Sequence, residues 1–307
     1  MTARGRAPEI TVIIPAYNAA STIDQQLDAL ARQDVPFAWE LLVCDNGSSD
    51  DTRARAEGWL DRIPGTRVID ASRRRGVAAA RNIGAEHARA PLIVFCDADD
   101  VVGDGWLLRM HGALQNSTAV AGSAELGLLN HPSGSSVSWH PGDVITEPYW
   151  PEFPAAAGRN IGVHAAAFHQ IGGFDEELIA GEDIDFCWAI QSAGGTLTWC
   201  MDAVVHVRKR VGLRQISRQA YGYALGDKLL KHKWANPMRA YWAREAPFDG
   251  LQGQRDRSRR SVLRRLARLA QPSGRADLAW VVGSWAGRRF STIDESLAQL
   301  PSGSSPN

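Results

Sequence analysis

The chain has 307 residues, 44% hydrophobic and 22% charged, which excludes a disordered or fibrous protein and leaves room for a full core without staples. No run approaches the ~18 apolar residues of a spanning helix. Met1–Pro8 lacks the apolar stretch of a secretory leader, and the four cysteines show no Cys-x-x-Cys spacing, so reduced thiols in a cytoplasmic protein are expected. The net charge of zero is unevenly spread: residues 1–207 hold 14 Lys+Arg against 27 Asp+Glu (−13), residues 208–275 hold 18 against 4 (+14), and residues 276–307 hold 2 against 3. The acidic part suits a metal, the basic part an anionic ligand or surface.

Strand and helix signals alternate over the first 100 residues, the pattern of a parallel sheet flanked by helices. Ile10–Pro15 is a continuous β-branched run, as a strand buried on both faces requires. Ser21 is positioned to cap a helix whose apolar residues Ile23, Leu27, Leu30 and Ala31 follow helical spacing. Trp39–Cys44 reads as the second strand, followed by the turn Asp45-Asn46-Gly47-Ser48-Ser49-Asp50 and a helix start. Arg67–Ile69 is a short third strand, residues 77–89 an alanine-rich helix, and Pro91–Cys96 the fourth strand. Residues 115–158 read as an irregular insertion with strands near 119–128 and 135–139. Helices are expected over 163–171 and 183–193, two short strands at 196–199 and 203–207, and basic helical structure after 208.

Two strands end in Cys-Asp, at 44–45 and 96–97, on the side where an open parallel sheet binds ligands. Asp97, Asp99 and Asp100 form either a capping turn or a Mg²⁺ or Mn²⁺ site, because crowded carboxylates repel until a cation neutralises them. Gly76–Gly84 opens a helix after Arg73, Arg74 and Arg75, which suits a phosphate as well as it suits a packed alanine helix. Glu182, Asp183 and Asp185 open another helix, more acid than a cap needs, and admit a general base. His206 after Ala203-Val204-Val205 gains interest as a ligand only if the acidic turn lies beside it; Arg208-Lys209-Arg210 can then neutralise a diphosphate.

The order Pro15-Ala16-Tyr17-Asn18, Asp45–Asp50, Gly76 through Gly84, Asp97-Ala98-Asp99, Gly172-Gly173-Phe174-Asp175-Glu176, Glu182-Asp183 and His206 resembles a family 2 glycosyltransferase of the GT-A fold, over residues 9–235. The resemblance implies an inverting transfer of sugar from a nucleotide-sugar, a UDP-sugar by preference, to a glycan, lipid-linked or small-molecule acceptor. It implies nucleoside contacts from Pro15, Ala16, Tyr17, Asp45, Asn46, Gly76, Arg81 and Asp97, and a divalent cation (Mn²⁺ or Mg²⁺) on Asp99 and His206. Asp183 matches the base, while Arg208, Arg210, Arg159, Asn160 and Glu182 are placed around the diphosphate, donor or acceptor. Asn46 stands where many members carry Asp, and its amide offers an acceptor and a donor to a pyrimidine edge. Processive synthases carry Gln-x-x-Arg-Trp after the base; Gln215-Ile216-Ser217-Arg218-Gln219 lacks the Trp, which favours transfer of one sugar. An inactive sugar-nucleotide-binding scaffold and a sugar nucleotidyltransferase are the alternatives. The expected organisation is an N-terminal tail 1–8, a catalytic domain 9–235 (nucleotide-binding half 9–100, donor and acceptor half 101–207), a basic helical region 236–300 and a disordered tail 301–307.

Trp139, Trp150 and Phe153 are candidates to stack on a sugar, or to pack under a long loop. Residues 251–275 hold eight arginines and one acid, and Ser261–Ala270 places Val262, Leu263, Leu266 and Leu269 opposite Arg264, Arg265 and Arg268. Such a helix suits an anionic membrane surface, or equally docking on the catalytic domain with its arginines solvated; Leu278–Gly287 is a further apolar patch too short to span, and no recognised motif favours nucleic acid.

Overall fold

A computed structural model of the chain describes residues 6–130, 144–145, 150, 152–210, 212–245 and 272–290. These divide into two compact units, the first within Met1–Asn130, Trp139–Glu176 and Glu182–Arg208, the second within Glu177–Gly181 and Lys209–Asn307. The first unit runs β1 (Ile10–Ala16), α1 (Ile23–Ala31), β2 (Trp39–Asp45), α2 (Thr52–Glu57), β3 (Arg67–Asp70), α3 (Val77–His87), β4 (Leu92–Cys96), β5 (Val101–Val102) and α4 (Trp106–Leu114). It continues with β6 (Ala119–Glu125), β7 (Val144–Ile145), β8 (Ala155–Ala156), β9 (Asn160–His164), α5 (Ala165–Gln170), α6 (Glu182–Ser192) and β10 (Leu197–His206). The second unit holds α7 (Leu213–Lys233), α8 (Ala235–Glu245) and α9 (Pro272–Phe290).

Eight strands form one mixed sheet in the order β3-β2-β1-β4-β9-β6-β10-β5, and β7 pairs with β8. The pairs β1/β2, β1/β4, β2/β3 and β6/β10 are parallel; β9 runs antiparallel to β4 and β6. Alternation splits β1 between two cores. Ile10, Val12 and Ile14 face α1 and α4 with Leu27, Leu30, Trp106 and Leu107, all 0% exposed. Each such Leu or Ile contributes roughly 1.5–3 kcal/mol through burial. Ile13 faces the other way, against α3, where Gly84 permits contact: a Cβ there would stand 2.5 Å from Ile13 and 2.8 Å from Cys44. Phe95 continues that second layer with Phe174 (5.2 Å between centroids) and Phe168 (5.8 Å).

Several expectations are corrected. Thr22, not Ser21, occupies the N-cap of α1, and its hydroxyl donates to Ala19 O instead of capping. The helix expected from 163 begins at Ala165, because Asn160–His164 is drawn into the sheet as β9. Gly162 makes this close approach possible, since a Cβ at that position would stand within 3.1 Å of Leu114, Val94 and Met110 alike. The two strands expected at 196–207 are one, β10, with a register shift between Cys200 and Val204. The strand near 135–139, Trp139 and the helix Ser261–Ala270 lie outside the described residues.

Candidate active site

The carboxyl ends of β1, β2 and β4 bring Ala16, Asp45 and Asp97 to one edge of the sheet. The turn after β1 is tied to the turn after β2. Asn18, at φ +49°, accepts Ser49 N through Oδ1 (2.8 Å), and its own N–H donates to Ser48 Oγ (3.0 Å). Asn is among the few residues that tolerate this left-handed conformation. Ala19 N donates to Thr52 Oγ1 (2.7 Å), Ala20 N to Asp50 Oδ2 (3.1 Å), and Ser48 N to Asp45 Oδ1 (3.2 Å).

Asn46 is 6% exposed and tied to the loop that leads into α3. Its Nδ2 donates to Ala71 O (2.6 Å) and Arg74 O (2.8 Å), while Oδ1 accepts Gly76 N (2.8 Å). Both amide hydrogens are therefore in use, which leaves no donor for a pyrimidine edge. Gly76 has φ +128°, a backbone state that a side chain would strain. The loop presents Arg75, whose guanidinium lies 5.7 Å from the ring of Tyr17, itself 51% exposed. Tyr17 and Arg75 form the rim; Asn46 is its fastening.

Arg81 joins the second group of residues. It projects from α3, is 3% exposed, and binds Asp97 Oδ1 through Nη2 (2.9 Å) and Glu182 Oε1 through Nη1 (3.0 Å). Gly158 makes room for it, since a Cβ there would stand 2.5 Å from Arg81 Nη1. Burial opposes its charge, but Asp97, Glu182 and Asp183 outweigh that and raise its pKa further. Burial, then the charge of Asp183, pushes the Glu182 carboxyl up to about 7 despite Arg81. Asp183 is partly exposed and accepts Gly158 N (3.0 Å) and its neighbour Ile184 N (2.9 Å). Asn82 anchors the turn before α6: Nδ2 donates to Phe174 O (2.8 Å) and Glu176 Oε1 (2.9 Å), and Oδ1 accepts Phe174 N (2.9 Å).

The acidic turn itself is crowded. Asp97, Asp99 and Asp100 each place a carboxylate oxygen within 4.8 Å of the others. Burial, then Asp97 and Asp99, drives the Asp100 carboxyl well above the usual range, although Arg208 N donates to it at 2.8 Å. Three hard oxygen donors held this close together fit Mg²⁺ or Mn²⁺. Arg208 also donates through Nε to Asp99 O (3.0 Å) and through Nη2 to Gln25 Oε1 (2.7 Å). Pairing of β5 with β10 sets His206 opposite Val101, so the acidic turn and His206 are neighbours along the chain path. The imidazole stands outside the carboxylate cluster, with Nδ1 on Glu125 Oε2 at 2.8 Å.

Other expected residues lie elsewhere. Asn160 is 1% exposed and staples the sheet, with Oδ1 accepting Trp106 Nε1 (2.8 Å) and Nδ2 donating to Ser123 O (3.0 Å) and Ala203 O (2.9 Å). Trp150 is 2% exposed and packs against Phe153 (4.3 Å) and Trp188 (5.0 Å), so of the two readings packing holds. Arg159 is half-buried and lowers the Asp100 pKa through its charge. Arg210 is exposed and belongs to the second unit. Sequence reasoning overlooked Gln26, fully buried, which donates to Asp97 O (3.1 Å) and accepts Val102 N (2.9 Å), bracketing the acidic turn. A polar residue on the apolar face of α1 was the available signal.

The profile of glycosyl transferase family 2 matches residues 11–171. The chain is 28% identical over 204 residues to glycosyltransferase AglE of Haloferax volcanii, covering 64% of this chain and 66% of that protein. It is 30% identical over 229 residues to validoxylamine A glucosyltransferase of Streptomyces hygroscopicus subsp. jinggangensis, covering 64% of this chain and 54% of that protein. The matches thus span about half to two thirds of these relatives. Among solved structures, mannosyltransferase PcManGT from Pyrobaculum calidifontis, in complex with GDP-Man and Mn²⁺, superposes with a TM-score of 0.60 at 21% identity over 92% of this chain and 88% of that one. S. aureus TarS 1-349 in complex with UDP-GlcNAc gives 0.53 at 17% identity over 93% and 95%. The profile match covers more than half of the chain and the superpositions extend over nine tenths of it: the chain belongs to glycosyl transferase family 2 and has the GT-A fold.

Proposed function

We propose that the protein is a metal-dependent, inverting glycosyltransferase that moves a single sugar from a nucleotide-sugar, a UDP-sugar by preference, to an acceptor hydroxyl. The observation that carries this reading is Arg81, which links Asp97 of the acidic turn to Glu182, the neighbour of Asp183. One buried cation thus joins the carboxylates suited to a metal and the helix that bears the base. PcManGT bound to GDP-Man and Mn²⁺ and TarS bound to UDP-GlcNAc support a nucleotide-sugar donor.

In this reading Tyr17 and Arg75 receive the nucleoside at the rim, and Asp45 and the backbone of Pro15-Ala16 line its inner side. Asp99, with Asp97 and Asp100 beside it, would hold the cation; His206, which the family resemblance also assigns to the metal, stands outside that cluster with Nδ1 on Glu125 Oε2 and is not needed for the set. A bound divalent cation supplies charge neutralisation for the departing diphosphate. Arg208 adds positive charge there, while Arg159 and Glu182 border the donor and acceptor. Asp183 accepts the acceptor hydroxyl proton as that oxygen bonds to the anomeric carbon. The bond from that carbon to the diphosphate oxygen breaks, and the nucleoside diphosphate leaves with the electron pair, inverting the configuration.

Turnover of UDP-sugars by Asp183→Asn tests the assignment. We expect kcat to fall by about 10²–10⁴-fold with UDP affinity preserved, as loss of a general base requires. Undiminished turnover would remove Asp183 from the mechanism.

A further inference from the structure

The helix pair of the second unit carries a surface that sugar transfer does not use. One face of α9 packs closely on α7: a Cβ at Gly283 would lie 2.1 Å from Ser217 O, and one at Gly287 2.6 Å from Tyr221 O. Ala276 and Ser284 are buried on the same side, and Trp280 meets Tyr223 edge-on at 5.8 Å. Leu278, Val281, Val282 and Trp285 are instead 47%, 55%, 50% and 55% exposed. Their spacing of i, i+3, i+4, i+7 makes one continuous stripe. Exposed Arg275 precedes it, and exposed Arg288 and Arg289 follow it. Four adjacent large apolar side chains facing water mark an interaction surface, not ordinary exposure.

We propose that this face of α9 docks on an anionic lipid bilayer, with the helix lying in the plane of the interface. The apolar stripe enters the acyl boundary, Trp285 sits at headgroup depth, and the arginines at both ends extend to lipid phosphates. Charge complementarity selects this partner: residues 208–275, which end at Arg275, carry 18 cationic side chains against 4 acidic ones. A second copy of the chain fits less well, because Arg275, Arg288 and Arg289 of each α9 face only Asp277 as a countercharge on the other, which leaves an excess of cations at the seam. Nucleic acid offers nothing to the aliphatic side chains. No described helix is long and apolar enough to cross a membrane, so the contact is peripheral. The inference does not depend on the sugar-transfer chemistry.

Co-sedimentation of the full chain with phosphatidylglycerol-phosphatidylcholine vesicles, and with phosphatidylcholine alone, is the test. Circular dichroism checks the fold of each variant. We expect binding to the anionic vesicles that weakens with salt, and little to the neutral ones. The pair Val282→Glu and Trp285→Glu should weaken it at least about tenfold, and Arg288→Glu with Arg289→Glu should weaken it and flatten the salt dependence. Trp285→Phe should retain binding. The proposal fails if the folded apolar-face variant binds like the unaltered chain, if neutral vesicles bind equally well, or if the variant's only effect is to dissociate a dimer.

Discussion

Two turns in this chain begin alike and behave oppositely. β2 ends in Cys44-Asp45 and β4 in Cys96 with Asp97 directly after it, and both open toward the same end of the sheet. After β2 the polar groups satisfy one another: Asp45 accepts Ser48 N, and Asn46 gathers Ala71 O, Arg74 O and Gly76 N. After β4 three carboxylates crowd within 4.8 Å, and Asp100 holds its proton well above the usual range. The first turn is a fastening that shapes a binding rim. The second crowds like charges, which is the property the proposed cation site rests on. The difference lies in the side chains: Asn46, Gly47 and Ser48 follow the first aspartate, whereas Ala98, Asp99 and Asp100 follow the second and concentrate charge there.

Arg81 is the buried countercharge of the second region. Arg81→Met leaves Asp97 and Glu182 without their shared partner and should destabilise the protein by about 3–5 kcal/mol in denaturant unfolding, as removal of one member of a buried ion pair does. A loss below ~1 kcal/mol would mean that water replaces the guanidinium.

Asn46→Asp probes the first region. A carboxylate cannot donate to Ala71 O or Arg74 O and would repel both, so a loss of about 1–3 kcal/mol is expected. The donor KM should rise more than kcat falls, because the substitution loosens the rim and leaves the acidic turn intact. A kcat effect with unchanged KM would place Asn46 in the chemistry.

The finest distinction is one of pH. The Glu182 carboxyl titrates near 7 in the fold against 4.5 when free, so the folded state binds this proton more tightly than the unfolded one. Its contribution is present below pH 4.5 and declines as pH rises toward 7. Glu182→Gln should flatten that part of the stability profile measured by thermal unfolding; an unchanged slope would assign it to another group.

Much of this was legible because burial on both faces writes β-branched runs, as in Ile10–Ile14 and Leu92–Phe95. The acidic turn and the Glu182-Asp183 pair were legible as motifs in a fixed order. β9 was not, since its alternation, Ile161 and Val163 against Asn160, Gly162 and His164, is only five residues long and runs straight into the helix pattern of Ala165–Gln170; pairing with β4 and β6 is what makes it a strand. Nor were the hydrogen-bond partners of Asn46 and Asn160. An amide that faces a nucleotide and one that staples backbone carbonyls look the same until the segments 25 and 37 residues away, a loop and strand β6, are placed. The contact between His206 and Glu125 spans 81 residues and arises from strand pairing alone.

The most direct measurement is calorimetric titration of UDP into the protein with and without Mn²⁺, repeated on Asp99→Ala. We expect UDP to bind far more tightly with Mn²⁺ present, and that enhancement to vanish in Asp99→Ala while the fold persists. Metal-independent binding, or an Asp99→Ala protein that keeps the full Mn²⁺ effect, would contradict the assignment of the crowded turn as the cation site.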